Sequence, residues 1–361
     1  MRRYLLAMLM SAICCAHAAT DEPASCHEED RGIIAALDHI VAPQGIQESY
    51  QLHVGGIDQW IYARGQDKAN PIILFVHGGP GTPYSPVMWE FQRPLEEYFT
   101  VVNWDQRGAG KTYLTVDPGS IANTIHISQY VSDAIEVAEA IRRKYGARKL
   151  ILMGHSWGSV VGMKAALARP DLFYAYVGIG QVINTRTNEK LSFAYGLEQA
   201  KKANNTEAVK ELESIAPYPG TTPITRERII IARKWPQYFG GLSAFRSDSK
   251  YYFGGPSLSP DYDPKEVASI DQGNVFTLAK LLPEFLDVDF TGVQTFPIPV
   301  LMFMGRHDYT TPSEPTAAWL QAVHAPYKQG VWFENSAHMI PWEEPGKTLL
   351  SLVTYVKPLA H

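Results

Sequence analysis

The stretch Leu150-Ile-Leu-Met-Gly154-His-Ser-Trp-Gly158-Ser159 decides how this chain is read. Its first four residues form an apolar run suited to a strand buried on both faces. Gly-His-Ser-Trp-Gly follows at once. Then comes Val160-Val-Gly-Met-Lys-Ala-Ala-Leu-Ala168, a helix-compatible segment stopped by Arg169-Pro170. A strand, Gly-x-Ser-x-Gly and a helix, in that order, make the nucleophile elbow of a serine hydrolase. The turn strains the serine backbone and lifts its hydroxyl clear of the sheet. Glycines flank it because a side chain at either site would strike the neighbouring strand or helix. Ser156 is therefore the expected nucleophile.

A serine hydroxyl needs a base to take its proton and a third group to orient that base. In this kind of fold the partners follow in the order serine, acid, histidine. Downstream, the run Pro299-Val-Leu-Met-Phe-Met304 leads into Gly305-Arg-His-Asp308, and Gly330-Val-Trp-Phe333 leads into Glu334-Asn-Ser-Ala-His338. Both candidates fall just past the C-terminal end of a strand, the edge where open α/β sheets carry their sites. Asp308 is the expected acid and His338 the expected base. The competitors fit less well. His307 points away from its neighbour Asp308, and His324 falls in a predicted helix. Neither Glu334 nor Glu343 sits at the turn after the preceding strand.

His77-Gly-Gly-Pro-Gly81 follows the apolar run Ile72–Val76. Its glycines let backbone N–H groups face the site, where each donor to an oxyanion contributes about 3–4 kcal/mol. The N–H groups of Gly79 and Trp157 are the expected oxyanion hole, with Gly78 as the alternative to Gly79. A third glycine-rich turn, Asp105-Gln-Arg-Gly-Ala-Gly110, lacks the register of a phosphate loop. Asp105 and Arg107 are expected to brace the site through buried hydrogen bonds. No histidine or cysteine cluster has zinc spacing, so neither metal nor cofactor is predicted.

The chain has 361 residues, 45% hydrophobic and 19% charged, with a formal net charge of −5. No basic stripe appears, which argues against a nucleic-acid partner. Arg2-Arg3, an apolar run from Tyr4 to Ala16 and Ala16-His17-Ala18 read as a secretory signal peptide over residues 1–18. The run is too short for a membrane span, so the mature protein is expected in the periplasm or outside the cell, without stable membrane insertion. Cleavage leaves Cys26 alone, which permits no intramolecular disulfide. Residues 19–45 form an N-terminal segment with a short amphipathic helix over 28–41. Residues 46–183 and 297–361 alternate strands with helices, one of them over 126–145 with Ile127, Val131, Ile135, Ala138 and Ile141 on one face, and another over 343–357. This predicts an α/β fold, a mostly parallel central sheet flanked by helices. Residues 184–296 break the alternation and are expected to form a helical cap. Its aromatics Trp235, Tyr238, Phe239, Phe245, Tyr251 and Phe253 either line a pocket or pack as the cap's own core.

Taken together, His77-Gly-Gly-Pro-Gly81, Asp105-Gln-Arg-Gly-Ala-Gly110, Gly154-His-Ser-Trp-Gly158, Gly305-Arg-His-Asp308 with Thr311-Pro312, and Ser336-Ala-His338 resemble the proline iminopeptidase group of α/β-hydrolases. The resemblance covers roughly residues 46–181 and 297–357. It implies the α/β-hydrolase fold, a helical cap, and removal of an N-terminal residue, often proline, from short peptides. It also implies cap glutamates that hold the substrate's free amine, for which Glu189, Glu198 and Glu227 are candidates. The chain departs from that group at His155, where glycine is common, and at Thr112, where serine is usual. The same triad would equally serve a carboxylic ester hydrolase or lactonase acting on a small molecule. Ser156 argues against epoxide or haloalkane hydrolysis, which needs aspartate at the elbow, and an intact triad argues against a purely binding role.

Overall fold

The computed structural model describes residues 24–221 and 224–360. The signal segment expected over residues 1–18 lies outside them. Eight strands make one sheet: β1 (Ile46–Val54), β2 (Ile57–Gly65), β3 (Ile72–Val76), β4 (Thr100–Trp104), β5 (Leu150–His155), β6 (Phe173–Ile179), β7 (Val300–Gly305) and β8 (Lys328–Phe333). Their order is β1-β2-β4-β3-β5-β6-β7-β8. β1 pairs antiparallel with β2, and β2 with β4; every later pairing is parallel.

The continuous apolar runs follow from burial on both faces. Alternate residues feed two separate cores: Leu150 and Leu152 enter one, Ile151 and Met153 the other. β3 and β7 divide in the same way. The helices Ile127–Tyr145 and Trp157–Ala168 cover the first face, and Phe91, Leu352 and Val356 help cover the second. From β3 the chain steps outward to β4. From β5 it steps the opposite way, to β6. The C-terminal ends of β3 and β5 therefore border a crevice at the switch point, where ligands bind in open α/β sheets.

Between β6 and β7 the chain leaves the sheet for the helices Thr185–Lys202, Thr206–Ser214, Arg226–Pro236 and Pro264–Phe285. Each start is fixed by a side chain that accepts a backbone N–H: Asn184, Asn205, Thr225 and Asp263, the last within a capping box closed by Glu266.

One expectation holds and two need correction. The helix Ile127–Tyr145 turns all five expected residues to one core, Ile127, Ala138 and Ile141 buried and Val131 and Ile135 half-buried, and Tyr130, Ala134 and Val137 join them. Asp133 belongs to that buried face because Arg107 meets it there, at 2.9 Å. The C-terminal segment is not one helix. Ile340–Glu343 stops before Pro345, which opens Pro345–Ser351, and the helical run then widens over Leu352–Val356 and tightens over Lys357–Leu359, around Pro358. His324 lies beyond the helix Ser313–Ala322, bridged to Thr295.

Candidate active site

Ser156 links β5 to the following helix with φ 55° and ψ −123°. A non-glycine residue held there stores about 1–3 kcal/mol of strain. Surrounding contacts enforce it. The Ser156 N–H donates to Ile179 O at 3.0 Å, and Ser159 Oγ donates to Ser156 O at 2.6 Å. The helix packs so closely on β3 that a Cβ on Gly158 would lie 2.0 Å from Val76 O.

Asp308 and His338 come together from the loops after β7 and β8. Asp308 is buried, and its Oδ1 accepts the N–H groups of Thr310 (2.9 Å) and Thr311 (2.7 Å). Its Oδ2 accepts the Thr311 hydroxyl and His338 Nδ1–H, each at 2.9 Å. Every lone pair that faces protein is thus committed, and the His338 ring is fixed in plane. Gly180 lies under that ring; a Cβ there would come within 2.8 Å of it. Cap carbonyls secure both loops. Leu242 O accepts the N–H of His338 (3.0 Å) and of Met339 (3.3 Å), and Gly241 O accepts those of Tyr309 (3.1 Å) and Thr310 (3.0 Å).

Of the competitors, Glu334 pairs with Arg306 on the surface. Glu343 accepts the N–H groups of Ala337 and Ala244 and so shapes the His338 loop. The ring of His307 rests against exposed Phe245.

His155, noted in the sequence only as a departure, lies beneath His338 with ring centroids 4.6 Å apart. Its Nε2 is 2.8 Å from His338 O, a pure acceptor, so Nε2 carries the hydrogen. Its bare Nδ1 accepts the Tyr84 hydroxyl. Burial, reinforced by the nearby His338, pushes the His155 pKa well below the usual histidine value. Neither the ring stack nor the role of Tyr84 has a sequence signature.

The two remaining glycine-rich turns interlock. Gln106 Nε2 donates to His77 O (2.9 Å), and Gln106 Oε1 accepts Trp157 Nε1–H (3.2 Å). Arg107 pairs with Asp133 and donates to Gly55 O. Asp105 accepts Lys111 N–H at 3.0 Å and the hydroxyls of Ser85 and Tyr262, which ties the cap to the core.

His77 uses both ring nitrogens. Nδ1–H donates to Gly78 O (2.8 Å), and Nε2 accepts Gln106 N–H (3.2 Å). Burial pushes its pKa down to about 4, from 6.5. The folded chain refuses a proton that the unfolded chain takes up. His77 therefore contributes stability that is complete above pH 6.5 and is lost as pH falls towards 4. The slope is up to ~1.4 kcal/mol per pH unit. A His77→Asn variant should lack this slope. Urea unfolding of both proteins from neutral pH down to about pH 5 checks it, and parallel profiles would contradict the assignment.

Ser156, Gly79 and Trp157 share a cavity of about 260 Å³. Gly78 lies alongside: a Cβ there would be 3.1 Å from Ser156 Cβ. Val160, Val182, Ile229, Ile230, Leu278 and Phe285 make the wall largely apolar, and Arg233 is its one charged residue. Arg233 is held by Thr310 O and by the buried carboxylate of Glu189, which also accepts the Tyr218 hydroxyl at 2.6 Å. Of the three candidate cap glutamates, Glu189 thus stands behind Arg233, Glu198 pairs with Lys202 at the surface, and Glu227 lies outside the cavity lining in the first turn of its helix. None of the six singled-out cap aromatics lines this cavity. Trp235 packs in the cap's own core, while Tyr238, Phe245 and Phe253 are exposed. Among the described residues, no group of histidine, cysteine, aspartate and glutamate could hold a metal ion, and no helix is long and apolar enough to cross a membrane.

An elbow serine at the switch point of a mostly parallel sheet, under a helical excursion between β6 and β7, defines a hydrolase of the α/β type. Residues 73–351 match the model of the alpha/beta hydrolase family, and the chain belongs to that family. It is 32% identical over 300 residues to the probable aminopeptidase YbaC of Bacillus subtilis, across 82% of this chain and 92% of that one. Against the proline iminopeptidase of Saccharolobus solfataricus it is 24% identical over 319 residues, 84% of this chain and 90% of the other. The crystal structure of proline iminopeptidase from Mycobacterium smegmatis superposes with a TM-score of 0.61 at 15% identity, covering 87% of this chain and 99% of that one. At that identity the likeness concerns the fold alone.

Proposed function

We propose that this hydrolase works by acyl transfer through Ser156, His338 and Asp308. The observation that carries the reading is the hydrogen bond of 2.9 Å between His338 Nδ1 and Asp308 Oδ2, with the His338 ring packed on His155, the residue before a strained elbow serine. Asp308 holds the hydrogen on Nδ1 and leaves Nε2 free as a base. As Ser156 Oγ attacks a carbonyl carbon, Nε2 takes its proton. The developing oxyanion is met by the N–H groups of Trp157 and Gly79; Trp157 opens a helix, where the first N–H groups have no intrahelical acceptor. His338 then gives the proton to the leaving group. A water hydrolyses the acyl-enzyme by the reverse route.

The substrates in this reading are short peptides or aminoacyl amides with a free N-terminus, released one residue at a time. The similarity to the probable aminopeptidase YbaC along most of both chains supports this. A second reading, carboxylic esters, is favoured by one observation: the Ser156 cavity is lined by Arg233 and by no carboxylate. Comparison of kcat/KM for aminoacyl arylamides, their N-blocked counterparts and short-chain esters separates the two. The peptidase reading expects free-amine arylamides to lead by about ten-fold or more. Turnover of esters alone would replace it with the second. Export with cleavage near Ala18 is part of the same proposal. N-terminal sequencing of the mature protein tests it, since a chain retaining residues 1–18 would refute it.

A further inference from the structure

A second, larger cavity of about 890 Å³ opens between cap residues 244–258 and the core, and it shares no lining residue with the Ser156 cavity. Glu90 lies in its wall among Trp89, Tyr251 and Trp342. Its Oε2 accepts Trp342 Nε1–H at 2.6 Å, while among the described residues no hydrogen bond or ion pair reaches its Oε1. Gly255 makes room for that oxygen, since a Cβ there would fall 1.7 Å from Oε1. The Trp89 indole N–H is buried without a partner. Burial pushes the Glu90 carboxyl up to about 8, the mark of a carboxylate missing its counter-charge. Glu343, Arg246, Lys250, Tyr251 and Tyr252 are the other titratable groups around it. Arg246 is occupied over the Tyr251 ring at 5.0 Å, and Lys250 stands exposed among the lining residues.

We infer that this cavity is a binding site for a primary ammonium group carried on an apolar or aromatic body, with Glu90 Oε1 as the acceptor. Aromatic faces around a desolvated cation add to the carboxylate's attraction. A free oxygen facing a cavity suits an N–H donor rather than a quaternary ammonium, which has none to offer. The inference does not depend on the acyl-transfer reading.

The test uses the full protein at pH near 8.5, with 2-phenylethylamine as probe and 2-phenylethanol as its neutral counterpart, read by calorimetry and by tryptophan fluorescence. The amine should bind at least ten-fold more tightly than the alcohol. Glu90→Gln should remove that margin and leave alcohol binding within two-fold. Gly255→Ala, whose Cβ displaces the carboxylate, should weaken the amine in the same way and serves if Glu90→Gln folds poorly. Ser156→Ala should leave the binding of both probes at this cavity unchanged, since the two cavities share no lining residue. Equal binding of amine and alcohol, or an amine margin that survives both cavity variants, would overturn the inference.

Discussion

Ser156→Ala should lower kcat by about five to six orders of magnitude, the loss seen when the nucleophile of such a triad is removed. Its stability should stay within about 0.5 kcal/mol of the parent, because alanine keeps the Cβ and so keeps the strain of φ 55°. Ser156→Gly should be equally inactive but about 1 kcal/mol more stable, since glycine accepts a positive φ without penalty. The pair separates the chemistry of the hydroxyl from the strain of the elbow. Single-turnover kinetics and urea unfolding of the two variants provide the check. An alanine variant that keeps more than about a hundredth of the turnover would remove Ser156 from the mechanism.

Asp308→Asn should cost about four orders of magnitude in kcat with little change in KM. The amide oxygen can replace Oδ1 and keep the N–H groups of Thr310 and Thr311. The amide NH₂ then stands where Oδ2 accepted His338 Nδ1–H and the Thr311 hydroxyl. The hydroxyl can turn and accept instead. The Thr311 hydroxyl, 3.0 Å from His338 Nδ1, is then the one acceptor left to hold the hydrogen there, and an NH₂ aimed at Nδ1 favours the tautomer with the hydrogen on Nε2, the nitrogen that must take the serine proton. Geometry survives and the tautomer is wrong. Steady-state kinetics together with a structure of the variant decide it; a loss of less than ten-fold would leave Asp308 without the assigned role.

What the sequence made legible was set by steric necessity. The elbow is readable because Gly158 meets Val76 O and nothing larger fits. The positions of Asp308 and His338 just past strand ends are readable because the apolar runs before them mark β7 and β8. The apolar face of the helix Ile127–Tyr145 was legible, but the charged Asp133 on its buried side was not, because Arg107 and Gln59, far off in the chain, satisfy it together with Gln129. Tyr84 behind His155 and Glu189 behind Arg233 are contacts between residues far apart in the chain, and no local pattern encodes them. Substrate preference was least legible, because the cap lines the Ser156 cavity with side chains whose meaning depends on their partners.

The carbonyls of Gly241 and Leu242 give the cap a second meaning. A lid that only covered a pocket could be exchanged for another without touching the chemistry beneath. Here one turn of the cap grips the loops of both Asp308 and His338 through main-chain oxygens. Any side chain compatible with that turn would do, so the sequence at this point is free to drift while its path is not. A graft that brought in a foreign cap would have to reproduce the path of those two residues, or it would carry away the alignment of the residues below.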